Sequence, residues 1–285
     1  MIVVTGATGK LGRLVVEGLL QKVPANQIAV AVRSPDKAGD LAKRGVQVRK
    51  ADYSKPESLT EAFAGADKVL LISSSEVGQR EKQHRAVIDA VKKNAGIRLL
   101  AYTSLLHADT SGVSLAPEHK TTEEVIRASG IPFVFLRNGW YVENYTENLA
   151  PALQNGAFIG SAGQGRIAGA TRKDFADAAV AVLTGTGHES KIYELGGDAP
   201  FTMKDLAAEV SRQTKKDIVY KDLSPEEYSG ALSSVGLPPP VVEMLVSADR
   251  GIARGELDDK SRDLSRLIGR PTTSLADAVA AGLAK

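Results

Sequence analysis

The chain has 285 residues, of which 43% are hydrophobic and 25% charged, and a net charge of +2. This is the composition of a globular protein, and it offers no broad basic field, so nucleic acid is not an expected partner. Cysteine is absent, which excludes disulfides, thiolate catalysis and cysteine-ligated metal. No apolar run reaches the ~18 residues that span a bilayer, and because Met1 leads straight into a first strand, no targeting segment is expected. The expectation is a soluble, cytoplasmic protein without a membrane span.

The apolar run Ile2-Val3-Val4-Thr5 has the β-branched content of a buried parallel strand. It breaks into Gly6-Ala7-Thr8-Gly9-Lys10-Leu11-Gly12, and a helical pattern follows through Leu14, Val15, Leu19 and Leu20. Strand, glycine loop and helix in that order make the first half of a dinucleotide-binding unit. Gly6 permits a sharp turn, Gly9 permits backbone N–H groups to approach a pyrophosphate, and Gly12 permits close packing of helix on strand. The helix N-terminus adds unpaired N–H groups and partial positive charge.

A second strand, 28–32, ends at Arg33-Ser34-Pro35. An NAD enzyme would place Asp or Glu near here for the ribose 2′-hydroxyl. Arg33 suits a 2′-phosphate instead, which favours NADP over NAD; the alternative is an arginine solvated at the sheet edge. After a short third strand, 46–48, Asp52 stands where a short-chain reductase commonly meets the adenine amino group; the alternative is the cap of a helix around 57–63. A fourth strand, 68–72, runs into Ser73-Ser74-Ser75, which suits a close-passing cofactor or a plain serine turn. A helix over 79–95 is expected to end at Gly96.

The fifth strand, 98–104, ends at Ser104, where a short-chain dehydrogenase keeps its carbonyl-orienting serine. The expected Tyr-x-x-x-Lys partner is missing. No tyrosine occurs between Tyr102 and Tyr141, and Ala116 stands four residues before Lys120. Ser104, Tyr102 and His119 are therefore only candidate assistants, with His119 read mainly as a helix-surface residue on a helix over 118–129. A sixth strand, 133–136, leads to Arg137-Asn138-Gly139-Trp140-Tyr141-Val142-Glu143-Asn144. Ligands in open α/β sheets lie beyond such strand ends. Asn138 would hold the nicotinamide amide or ribose, and Trp140, Tyr141 and Asn144 would line a flat substrate pocket; core filling is the alternative for the two aromatics.

Beyond Ala150 the alternation loosens. The glycine-rich 156–169 reads as loop or short strand, most simply a surface hairpin, followed by a helix over 173–183, a strand over 191–195, a helix capped by Thr202, a strand over 218–220, and helices over 225–233, 239–247 and 275–284. The fold class is α/β, a Rossmann-type doubly wound parallel sheet over 1–149 with a smaller α/β substrate lobe over 150–285 from which segments return to the core. The four histidines show no metal-ligand spacing, and neither G-x-S-x-G nor a G-x-x-x-x-G-K-[ST] phosphate loop occurs.

The opening TGATGKLG, Arg33, SSSEVGQR at 73–80, YTSLLHADTS at 102–111, RNGWYVENY at 137–145 and SVGLP at 234–238 together resemble the NmrA-like branch of the atypical short-chain dehydrogenase/reductases, and within it the quinone-reducing members. The resemblance implies NADPH-dependent two-electron reduction of quinones to hydroquinones by direct hydride transfer, without flavin or metal. It places Gly6, Ala7, Thr8, Gly9, Lys10 and Leu11 on the pyrophosphate, Arg33 on the 2′-phosphate, Ser73, Ser74 and Ser75 along the cofactor, and Arg137, Asn138, Gly139, Trp140, Tyr141 and Val142 near the nicotinamide. The missing Tyr-x-x-x-Lys fits, because a quinone needs positioning more than acid–base help. NmrA-like proteins also include non-catalytic redox sensors, the alternative function. A nucleotide-sugar epimerase is disfavoured by the same missing tyrosine, and a homodimer is left open.

Overall fold

The computed structural model describes residues 1–76 and 78–284; Val77, within the SSSEVGQR stretch, and Lys285 lie outside the described residues. The chain divides into two units. The first comprises Met1–Leu105, Pro117–Asn138 and Arg172–Tyr193, and the second Leu106–Ala116, Gly139–Thr171 and the chain from Glu194 onward.

The first unit is built on β1 (Ile2–Thr5), β2 (Ile28–Val32), β3 (Gln47–Lys50), β4 (Lys68–Leu71), β5 (Leu99–Leu105), β6 (Phe133–Asn138) and, past the short strand β7 (Ala157–Gly160), the start of β8 (Lys191–Leu195), whose last two residues are counted with the second unit. The sheet order is β3-β2-β1-β4-β5-β6-β8, and the strands from β3 to β6 pair in parallel. The order reverses between β1 and β4, which makes the carboxyl end of β1 the switch point where open α/β sheets bind ligands. All residues of β1 and β2 are buried, as expected of strands covered on both faces. The helices are α1 (Lys10–Leu20), α2 (Gly39–Lys43), α3 (Leu59–Ala62), α4 (Arg80–Lys92), α5 (Ala116–Ala128) and, beyond α6 (Glu143–Thr146) and α7 (Ala150–Asn155) of the second unit, α8 (Arg172–Thr184). One face of the sheet carries a core of Leu59, Phe63, Val87, Val91, Tyr102 and Phe135. On α1, Leu11, Val15, Val16 and Leu19 are buried at helical spacing.

In the second unit β7 pairs in parallel with β9 (Val219–Asp222). The 156–169 stretch is therefore no hairpin: its strand partner lies far along the chain. Helices α9 (Met203–Thr214), α10 (Pro225–Ser234), α11 (Pro239–Ala253), α12 (Asp263–Ile268) and α13 (Leu275–Leu283) complete the unit. Thr202 caps α9 and Ser224 caps α10, each in a capping box with Asp205 and Glu227. Helix α4 stops at Lys92, capped by the Lys93 N–H on the Val91 carbonyl, so Gly96 is not its terminator. Asp52 caps no helix; its Oδ1 accepts from Ser54 N and Oγ within a tight turn.

Candidate functional site

Thr5 ends β1, and Gly6 follows at φ +60°, a left-handed turn that costs glycine no steric strain. The Gly9 N–H returns to the Gly6 carbonyl at 2.9 Å, and Gly9 then stands at the N-cap of α1 without a side-chain cap; the first turn has no acidic residue. A helix terminus without a side-chain cap or an acidic residue is suited to an anion. A Cβ on Gly12 would lie 2.4 Å from the Gly6 oxygen and 2.7 Å from Ala7 Cα, so only glycine lets α1 lie this close to the turn. Thr8, Gly9 and Lys10 are exposed, whereas Ala7 and Leu11 are buried and offer only backbone.

The serine turn is held from beneath. Thr5 Oγ1 accepts the Ile72 N–H at 3.0 Å, and Thr103 Oγ1 accepts that of Ser73 at 2.8 Å. The Ser74 N–H donates to His84 Nε2 at 2.9 Å, and His84 Nδ1 lies 3.0 Å from Thr122 Oγ1. Burial, with the Arg80 charge beside it, pushes His84 down to about 3, so the ring is neutral. With Nε2 accepting, the proton sits on Nδ1 and is donated to Thr122, which donates in turn to the Glu118 carbonyl at 2.8 Å. Arg80, itself buried, donates from Nε to the Ser74 carbonyl and from Nη1 to Glu118 Oε2 at 2.8 Å. Sequence alone assigns no role to Thr5, Arg80, His84, Thr103, Glu118 or Thr122, because each has a hydrogen-bond partner far away in the chain; the one signal is polar residues inside otherwise apolar strand and helix faces. Arg33, beyond β2, is 70% exposed at its side chain, with Nη1 3.0 Å from Glu76 Oε1.

Tyr102 has no exposed surface, and its hydroxyl is hydrogen-bonded to His119 Nδ1 at 2.7 Å. His119 is buried on the inner face of α5, contrary to the helix-surface placement expected for it. Burial raises the Tyr102 hydroxyl and holds His119 well below the usual imidazole range. Ser104 Oγ donates to Glu123 Oε1 at 2.6 Å, and Arg137, directly opposite Ser104 in the strand register, makes a two-pronged pair with Glu123 at 2.9 and 2.7 Å. Both partners of that pair are buried, so the Arg137 side chain is engaged inside the sheet–helix layer. Asn138, also buried, ends β6 with an Oδ1 that has no hydrogen-bond partner among the described residues. A buried acceptor of this kind fits a carboxamide N–H₂.

The remaining expected residues belong to the second unit. Gly139 donates its N–H to the Leu195 carbonyl at 2.8 Å. Trp140 is half-buried and packs on that unit's core, and Val142 is buried within it. Tyr141 bridges to Ala170 through its backbone, and Asn144 is exposed. His107 carries an unusual left-handed φ of 54°. Its N–H donates to Glu194 Oε2 at 2.9 Å, and its Nε2 lies 3.1 Å from the Asp258 carbonyl. The Glu194 carboxylate raises the imidazole to about 9. Among the described residues no cluster of three His, Cys, Asp or Glu side chains could hold a metal ion, and no helix is long and apolar enough to cross a membrane.

A family profile described as NAD(P)H-binding matches residues 6–186. Quinone oxidoreductase 2 of Escherichia coli is 53% identical over 279 residues, which are 98% of this chain and 97% of that protein. The crystal structure of an NADPH-dependent quinone oxidoreductase from the same organism, complexed with NADPH, superposes with a TM-score of 0.96 over 99% of both chains. An NmrA-like family domain-containing oxidoreductase of Aspergillus flavus is 29% identical over 97% of this chain and 92% of its own length. The chain belongs to the NAD(P)H-binding family, in its NmrA-like branch of oxidoreductases.

Proposed function

We propose that the protein is an NADPH-dependent quinone oxidoreductase. The observation that carries this reading is the 53% identity, over nearly the full length, to a quinone oxidoreductase, in a chain that keeps an uncapped glycine-loop helix at the sheet's switch point. In this reading the amides of 6–11 bind the pyrophosphate, Arg33 binds the 2′-phosphate and Ser73, Ser74 and Ser75 follow the cofactor along its length. Asn138 Oδ1 takes the nicotinamide carboxamide. Residues 139–142 complete the cofactor's surroundings, and Trp140, Tyr141 and Asn144 contact the flat acceptor. We further infer a cytoplasmic setting, which the absence of cysteine suits.

Bound NADPH supplies a hydride from the nicotinamide ring. The protein's part is to hold donor and acceptor in contact and to exclude competing geometries. The acceptor quinone takes two electrons with the hydride and one proton from water, giving the hydroquinone. Tyr102 and Ser104 are bonded to His119 and Glu123 and act as positioning residues for the strand end, not as proton donors.

NADPH consumption followed by absorbance, with and without para-benzoquinone, tests the reading. Enzyme-dependent consumption well above background, slower with NADH, is expected. Tight NADPH binding without turnover across a panel of quinones would replace the enzyme by a redox sensor.

A further inference from the structure

Strands β2 and β4 flank β1 in the sheet, and the loops beyond them meet across its carboxyl end through one charged pair. Arg33 directly follows β2, Glu76 closes the serine turn beyond β4, and Arg33 Nη1 lies 3.0 Å from Glu76 Oε1. The two side chains are 70% and 48% exposed, so water competes for both charges and the contact is easily broken. The carboxylate is nonetheless aimed. Its Oε2 accepts from the buried Gln83 Nε2 at 2.6 Å, and the Glu76 N–H donates to Ser74 Oγ at 3.2 Å.

A guanidinium presents a fork of donors that suits a carboxylate or a phosphate. When both compete for it, one anion must leave, because the two repel each other. We propose that Glu76 is a built-in competitor for the 2′-phosphate and sets the margin by which NADPH is preferred over NADH. This rests on Arg33 as the 2′-phosphate contact. NADPH must displace the carboxylate from Arg33. NADH carries a 2′-hydroxyl, which donates to a carboxylate as it does in NAD-selective sites, so it binds with the pair intact. The same glutamate therefore weakens one cofactor and tolerates the other.

The test measures dissociation constants of NADPH, NADH and adenosine 2′,5′-bisphosphate for the parent, Glu76→Gln, Arg33→Ala and the double variant. Glutamine keeps the side chain's shape and an oxygen for Gln83 while removing the charge. Glu76→Gln is expected to bind NADPH and the bisphosphate about two- to fivefold more tightly, NADH no more tightly, and to lose that gain when Arg33→Ala is added. If Glu76→Gln binds NADPH no better while Arg33→Ala loses NADPH selectively, the competitor is overturned and the 2′-phosphate assignment stands. If Arg33→Ala weakens both cofactors equally, the assignment itself fails and the competitor with it. A gain that survives in the double variant also overturns the proposal, since Arg33 would not transmit it.

Discussion

Thr103 Oγ1 takes the backbone N–H of Ser73 at 2.8 Å, two residues past the end of β4. Thr5 does the same for Ile72 from the opposite neighbouring strand. Two side-chain hydroxyls thus continue the hydrogen-bond ladder where the sheet stops, and they fix the level at which the serine turn leaves it. Thr103→Val leaves a part-buried N–H without its acceptor and should cost about 1–3 kcal/mol in urea unfolding. It should also weaken NADPH binding, whereas Thr103→Ser keeps both properties near the parent. Equal behaviour of the valine and serine variants would show that the hydroxyl is dispensable.

Gly12→Ala should be far more damaging than Gly9→Ala. The new methyl at 12 meets three backbone atoms inside 3 Å, while that at 9 meets only the Gly6 oxygen, at 3.2 Å. Overpacking against backbone costs about 1–3 kcal/mol, and relief by sliding α1 outward carries its amides away from the phosphate position. NADPH affinity should fall about tenfold or more for Gly12→Ala, measured by fluorescence titration alongside thermal unfolding.

The buried Glu123–Arg137 pair predicts a steep difference between two truncations. Glu123→Ala removes the carboxylate from a buried guanidinium and should destabilise by about 3–5 kcal/mol. Ser104→Ala removes one hydrogen bond to the same carboxylate and should cost about 1 kcal/mol. Denaturant midpoints at constant slope would rank the two, and comparable losses would deny the ion pair its structural role.

His107 gives the second unit a pH dependence of definite sign. Its imidazole is raised from 6.5 to about 9 by Glu194. The stabilisation from this contact is therefore full below the unfolded value and is lost as pH rises through the folded one. The parent's melting-temperature advantage over His107→Gln should be largest near pH 6, decline across the alkaline range and vanish by about pH 10. A difference that does not change with pH would show that the charge contributes nothing.

The glycine loop was legible because its physics is local: buried strand, left-handed Gly6 and close-packed Gly12 all lie within eleven residues. Arg33 stands out as a candidate from its place after β2, and Asn138 from its place at the end of β6. His119 was misplaced because a search for apolar periodicity passes over α5, whose buried face carries His119, Thr122 and Glu123 ahead of Ile126. Those polar residues are buried because Tyr102, His84 and Arg137 satisfy them, and none of these partners is adjacent in sequence. The short strand β7 fits the glycine-rich stretch, but its partner is β9, more than fifty residues later, rather than a hairpin neighbour. Arg137 was assigned to the cofactor's vicinity for its position in a motif, while its side chain reaches Glu123 on α5.

The last strand of the large sheet, β8, is separated from β6 by the whole of α6, α7, β7 and α8. During synthesis the ribosome therefore releases six strands long before the seventh, and the β6 edge, with the stacked rings of Phe133 and Phe135 beside it, waits uncovered until Lys191–Leu195 emerges. Such an unpaired edge on a nascent chain invites association with other chains. Chaperone demand and the yield of shortened products should accordingly change sharply around that strand rather than at any boundary between the two units.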